Sequence, residues 1–93
     1  MIDVSNQVLI VHFNPFDTFS KVDVVTPAGV SKSLLVYSLF NHGIGELIDI
    51  AYSLNSFDIY FDGPVDFIEE INRKATAIES MKYNNNKITI KGV

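Results

Sequence analysis

Three apolar segments follow one another closely in the first part of the chain, and each is typical of a strand. Val8 to Phe13 is an almost continuous apolar run rich in β-branched residues, which predicts a buried strand. Asn14-Pro15 ends it, because proline has no amide proton for a strand ladder. Thr18 to Thr26 and Ser33 to Leu39 resume strand character around the turn signal Pro27-Ala28-Gly29. These short connections favour an antiparallel three-strand meander.

The spacing of apolar residues then changes to that of a helix. They recur every three or four positions in two stretches: Ile44, Leu47, Ile48, Ala51 and Leu54, then Val65, Ile68, Ile71, Ala75 and Ile78. This spacing predicts two helices, each with one apolar face. Asn41 is the expected N-cap of the first helix, and Pro64 suits the first turn of the second.

Two further strands complete the predicted order. Phe57 to Phe61 reads as a short strand between the helices, and Asn84-Asn85-Asn86 as a turn after the second helix. Lys87 to Lys91 alternates apolar and charged residues, as an exposed edge strand does. The sequence therefore predicts a single α/β domain over residues 1–93, in the order β-β-β-α-β-α-β, with a mixed sheet and two helices.

Composition narrows the range of partners and locations. The net charge is −4 and the seven basic residues are scattered, which disfavours general nucleic-acid binding. The chain has no cysteine, which favours a reducing compartment. Met1 to Val4 shows no signal-peptide pattern, and the apolar runs are far shorter than the roughly 20 residues that span a bilayer. We expect a cytoplasmic protein that does not enter a membrane.

The predicted order of elements resembles the ribonuclease H-like fold group, which includes nucleases, integrases and the halves of actin-like sugar kinases and ATPases. For a nuclease, the resemblance implies acids on the first strand, the first helix and the end of the fourth strand, holding two divalent metals. Glu46 and Asp62 fall near the second and third of these places. The first strand carries no acid, and Asp17 lies beyond Pro15. A Mg²⁺-dependent nuclease using Asp17, Glu46 and Asp62 is therefore an alternative function. A helix-start role for Glu46 and a turn role for Asp62 explain these two acids equally well.

The actin-like members of the group imply a second alternative, a small nucleotide-binding domain with a glycine-rich phosphate loop. The candidate turns are Asp62-Gly63-Pro64 and Gly43-Ile44-Gly45, and neither has the full spacing of a known loop. His12 and His42 are the only histidines, and we interpret them as a hydrogen-bonded strand residue and a capping residue. Apart from Mg²⁺ in the nuclease alternative, we expect no cofactor.

Three phenylalanines surround the proline break between the first two strands. Phe13 should end the first strand, Phe19 should open the second, and Phe16 should lie at the tip of the connection. Phe16 either folds back over the core or stays exposed as an anchor for a partner.

The leading hypothesis is therefore a non-catalytic interaction or assembly module that binds another protein or a second copy of itself. The expected interface residues lie in the phenylalanine-rich connection and on the last strand: Phe13, Phe16, Phe19, Ile88 and Ile90. Small size, acidic charge and the asparagine-rich turn are also compatible with an accessory protein of a phage or other mobile element, which would act in the host cytoplasm.

Overall fold

One mixed sheet organises the computed structural model of the protein, which describes residues 6–84 and 86–93. Its strands are β1 (Val8–His12), β2 (Phe19–Thr26), β3 (Gly29–Tyr37), β4 (Asp58–Asp62) and β5 (Thr89–Gly92). They lie in the order β3-β2-β1-β4-β5. β1, β2 and β3 pair antiparallel, whereas β4 runs parallel to both β1 and β5. The prediction of an α/β domain with a mixed sheet and two helices is confirmed, and the Met1 to Val4 segment lies outside the described residues.

The two helices are α1 (Ile44–Leu54) and α2 (Ile68–Tyr83), and each follows a short helical turn of another type. A π-helical turn over Leu39–Gly43 precedes α1, so the prediction of Asn41 as the N-cap is wrong, because Asn41 lies inside that turn. Both helices end at an asparagine in the left-handed conformation, Asn55 and Asn84, each with φ of 52°. Neither described helix is long and apolar enough to cross a membrane.

Both helices pack on the same face of the sheet. Alternate strand residues point toward them and are almost fully buried with the inner faces of the helices: Leu9, Val11, Val22, Val24, Val36, Ile59, Phe61, Leu47, Ile48, Ala51, Ile71 and Ala75. The strand residues in between, such as Ile10, His12 and Lys21, point to the opposite face. No helix of the described residues covers that face, which we call the open face.

A buried carboxylate fastens the last strand to the helical layer. Glu79 on α2 is almost fully buried, and its Oε2 accepts the Tyr52 hydroxyl of α1 at 2.5 Å. The same oxygen accepts the backbone N–H groups of Lys87 and Ile88 at 3.0 and 3.1 Å. Desolvation and the hydrogen bond to Glu79 raise the pKa of Tyr52 to about 12. One carboxylate oxygen thus connects α1, α2 and the segment that leads into β5.

Two glycines at the start of α1 differ in what surrounds them, which gives a matched test of the fold. A Cβ at Gly43 would lie 1.9 Å from the Tyr37 carbonyl oxygen, whereas a Cβ at Gly45 would meet nothing within 4 Å. We expect Gly43→Ala to lower the free energy of unfolding by about 1–3 kcal/mol or more, because backbone must move. Gly45→Ala should leave it unchanged or raise it by up to about 1 kcal/mol. Urea unfolding measures both, and equal losses would contradict this packing.

Candidate functional site

A histidine on the open face lies between two carboxylates. His12 at the end of β1 has its Nε2 2.8 Å from Asp23 Oδ2 and its Nδ1 3.0 Å from Asp62 Oδ2. The strand register produces this arrangement. Asp62 is directly opposite His12 on β4, while Asp23 lies two residues from the cross-strand neighbour Lys21 and so shares its face. Three strands thus contribute one side chain each to what we call the His12 cluster.

The two contacts of His12 define what the ring can do. A neutral imidazole carries one N–H, so only the protonated ring can donate to both ionised carboxylates at once. In that form the cluster places a positive ring between two negative groups, with charge-assisted hydrogen bonds on both sides. His12 then has no nitrogen available as a general base. The sequence prediction of a hydrogen-bonded, partly buried His12 agrees with this geometry.

Asp23 is the buried member of the cluster and was not identified from the sequence. It accepts the Ser33 hydroxyl at 2.5 Å, and Lys21 Nζ lies 3.7 Å away. Desolvation raises the pKa of Asp23, but hydrogen bonds from Ser33 and His12, with the charge of Lys21, outweigh it and hold that pKa below its ordinary value. The alternation of β2, with valines at 22 and 24, is the signal that could have placed Asp23 beside His12.

The three acids that the resemblance implied for a metal site each have another partner. Asp17 accepts the Asn14 side-chain amide at 2.8 Å, and Glu46 accepts the backbone N–H of Tyr37 at 3.1 Å. Asp62 belongs to the His12 cluster. Among residues 6–84 and 86–93, the structure contains no group of three or more histidine or acidic side chains placed to hold a metal ion.

Close packing accounts for one glycine in each of the two candidate phosphate loops, Gly63 and Gly43. At Gly63 a Cβ would lie 2.9 Å from the Phe13 Cβ and equally close to the Phe61 ring. Gly43 meets the backbone of Tyr37 in the same way. A side chain at either position would collide with the fold, so these glycines have a structural reason that is independent of a nucleotide.

Phe16 lies at the tip of the connection between β1 and β2 and does not fold over the core. Its side chain is 94% exposed. The loop has a defined shape because Asn14 accepts the backbone N–H of Phe16 at 3.0 Å and donates to the Asp17 carboxylate at 2.8 Å. The backbone N–H of Asp17 also donates to the Asn14 carbonyl at 3.2 Å. The aromatic ring is therefore presented to solvent by a hydrogen-bonded turn.

Further exposed apolar side chains lie on the open face, starting at Phe19, where β2 begins after the Phe16 loop. Phe19 and Tyr37 are cross-strand partners, and their rings stack with centroids 5.1 Å apart, while Phe19 stays 44% and Tyr37 45% exposed. Leu35 on β3, directly opposite Lys21, is 69% exposed. We call Phe16, Phe19, Leu35 and Tyr37 the apolar patch.

The other expected interface residues point inward. The Phe13 ring contacts those of Phe40, Phe61 and Phe67, with centroids 5.4 to 5.7 Å apart. Ile90 of β5 is only 5% exposed, and Ile88, just before β5, packs against the core, so both isoleucines face the helices. Strand alternation leaves Thr89 and Lys91 on the open side of β5.

Two features thus have functional potential: the His12 cluster on the open face, and the apolar patch, which combines exposed residues of that face with Phe16 in the loop before β2. Comparison of the chain with protein-family models, with curated proteins and with solved structures finds no match. A functional proposal for this protein therefore depends on the geometry of its own side chains.

The His12 cluster predicts an acid-sensitive stability. The folded-state pKa of Asp23 lies below the ordinary 3.8, so the unfolded chain binds that proton first as pH falls. The contribution of ionised Asp23 to the free energy of unfolding is complete above the ordinary pKa. It is lost as pH falls from about 4 through the lower folded-state pKa. We expect Asp23→Asn to lower the free energy of unfolding by about 1–3 kcal/mol at pH 7 and to flatten its decline between pH 5 and pH 2.

Urea unfolding across that pH range measures the effect. Asp58→Asn, which changes an exposed carboxylate on β4, serves as the control and should behave like the unsubstituted chain. The cluster would have no such role if Asp23→Asn kept the full acid-dependent decline.

Proposed function

We propose that this protein is a non-catalytic interaction module that binds a protein partner through the apolar patch. The exposed ring of Phe16 is the observation that carries the proposal. Burying one phenylalanine side chain is worth about 1.5–3 kcal/mol, which a ring left in water does not gain. A partner that covered Phe16 would recover that free energy.

The shape of the Phe16 loop supports an anchor role. Hydrogen bonds from Asn14 hold the turn, so little loop freedom would be lost on binding. Exposed aromatic residues surrounded by other apolar groups are the common centres of protein interfaces. Phe19, Tyr37 and Leu35 supply such surroundings on the neighbouring strands.

The contacts of the polar candidate residues support binding over catalysis. Both ring nitrogens of His12 are engaged by carboxylates, and Glu46 and Asp17 accept hydrogen bonds that shape the fold. In this proposal the element order of the ribonuclease H-like group serves as a scaffold for a binding surface. The absence of cysteine from the sequence supports a reducing location such as the cytoplasm.

Replacing Phe16 should separate binding from folding. We expect Phe16→Ser to change the free energy of unfolding by less than about 0.5 kcal/mol, because the ring is exposed. The same substitution should weaken partner binding at least about tenfold, as loss of a central aromatic anchor does. Met81→Ser is the matched control, because Met81 is 82% exposed on α2 in the opposite layer.

The measurement is quantitative mass spectrometry of proteins retained from an extract of the source cells. A partner should be retained by the unsubstituted chain and by Met81→Ser, and lost with Phe16→Ser. A partner that Phe16→Ser retains as well as the unsubstituted chain does would refute the anchor role of Phe16. An unsubstituted chain that retains nothing and stays monomeric in sedimentation at all concentrations would refute the proposed function itself.

A further inference from the structure

The edge strand β3 is long, has no proline and carries little of the charge that keeps sheet edges apart. It extends over nine residues, Gly29–Tyr37, and Lys32 is its only charged residue. Among the strands of residues 6–84 and 86–93, β2 is its only neighbour. Native edges are usually short, charged or interrupted by proline. The opposite edge, β5, follows this rule, with four residues that include Lys91.

The direction of the backbone groups along β3 follows from one hydrogen bond. The N–H of Ser38 donates to the Thr18 carbonyl at 2.8 Å, so it points toward β2. Backbone groups alternate sides along a strand, which places Val36 and Leu34 toward β2 as well. Ser33 and Leu35 therefore direct their N–H and C=O groups away from the sheet.

At both ends of β3, contacts within the chain limit how many outward backbone groups are available for pairing. Beyond Leu35, the next outward N–H belongs to Tyr37 and donates to Glu46 at 3.1 Å. Before Ser33, a bulge between Val24 and Val25 shifts the register, and the Ser31 hydroxyl bonds the Val24 carbonyl at 3.2 Å. The stretch open to pairing is short and symmetric, with one outward residue on each side of Leu34.

A second copy of the same strand fits this symmetry. If two β3 strands run antiparallel about an axis at Leu34, Ser33 lies opposite Leu35 of the second copy and both can exchange backbone hydrogen bonds. Lys32 then lies opposite Val36 of the second copy, so no like charges face each other. The exposed Leu35 side chains of the two copies come close on the open face, beside the Phe19–Tyr37 stacks.

We propose that two copies of this chain pair their β3 strands antiparallel about a two-fold axis at Leu34, which joins their sheets into one. This inference rests on the proposed interaction function and names a second copy as the partner. The apolar patch then lies beside the junction, where the second copy covers part of it.

The cysteine-free chain allows a direct test of the axis. Antiparallel neighbours have Cα atoms about 4.5–5.5 Å apart, within the range of roughly 4.4–6.8 Å that a disulfide requires. We expect Leu34→Cys to form a covalent dimer under mild oxidation, and Met81→Cys on α2 to stay uncrosslinked. Sedimentation of the unsubstituted chain should give twice the monomer mass of 10.4 kDa.

Leu35→Pro provides a second variant that blocks pairing without touching the internal ladder. Its lost N–H points outward, and proline is tolerated at such edge positions. We expect a folded monomer by circular dichroism and sedimentation. If Leu35→Pro does not fold, the Leu34→Cys crosslink and the mass of the unsubstituted chain still decide the matter.

The remaining outcomes each overturn the inference. A monomeric chain that still retains a Phe16-dependent partner would refute the β3 dimer and leave the proposed function standing. A dimer that does not crosslink through Leu34→Cys would place the contact elsewhere. If the unsubstituted chain is monomeric and retains a different protein that Leu35→Pro no longer retains, the β3 edge binds that protein and not a second copy.

Discussion

Burial of one sheet face beneath both helices is the constraint from which the other features of this protein follow. Leu9, Val11 and Phe61 form the sheet side of this core, and Leu47 and Ile71 pack in the same core from the helices. Because α1 and α2 share one side, the open face depends mainly on contacts between side chains of the strands. It combines charge-assisted hydrogen bonds around His12 with the stacked rings of Phe19 and Tyr37, and it has polar and apolar surface side by side.

The sequence predicted the order of strands and helices because the spacing of apolar residues is typical of a strand or a helix in each element. The inner face of α1 was visible in the spacing of Ile44, Leu47, Ile48 and Ala51. The beginning of α1 was not, because it is set by the close approach of Gly43 to the backbone of Tyr37 at the end of β3. Such a contact overrides the local capping preference of Asn41.

The candidate site was less predictable, since it depends on pairing between distant strands. Asp62 reaches His12 only because β4 lies beside β1, and no local pattern reveals that adjacency. Phe16 was placed at a loop tip, but its exposure is decided by the hydrogen bonds of Asn14. The alternation of Ile88 and Ile90 with polar residues was recognised from the sequence. That both isoleucines face the helices and not a partner becomes clear only when α2 is seen to pack over β5.

The contacts of Glu79 have a consequence for how the protein opens. A terminal strand at a sheet edge ordinarily frays, and its amides exchange with solvent long before the core does. Here the amides of Lys87 and Ile88 donate to a carboxylate buried between the helices. Breaking these two hydrogen bonds requires α2 to expose Glu79. The segment that leads into β5 therefore belongs to the same cooperative unit as the core. In hydrogen exchange, these two amides should be protected with α2 and not with the chain end.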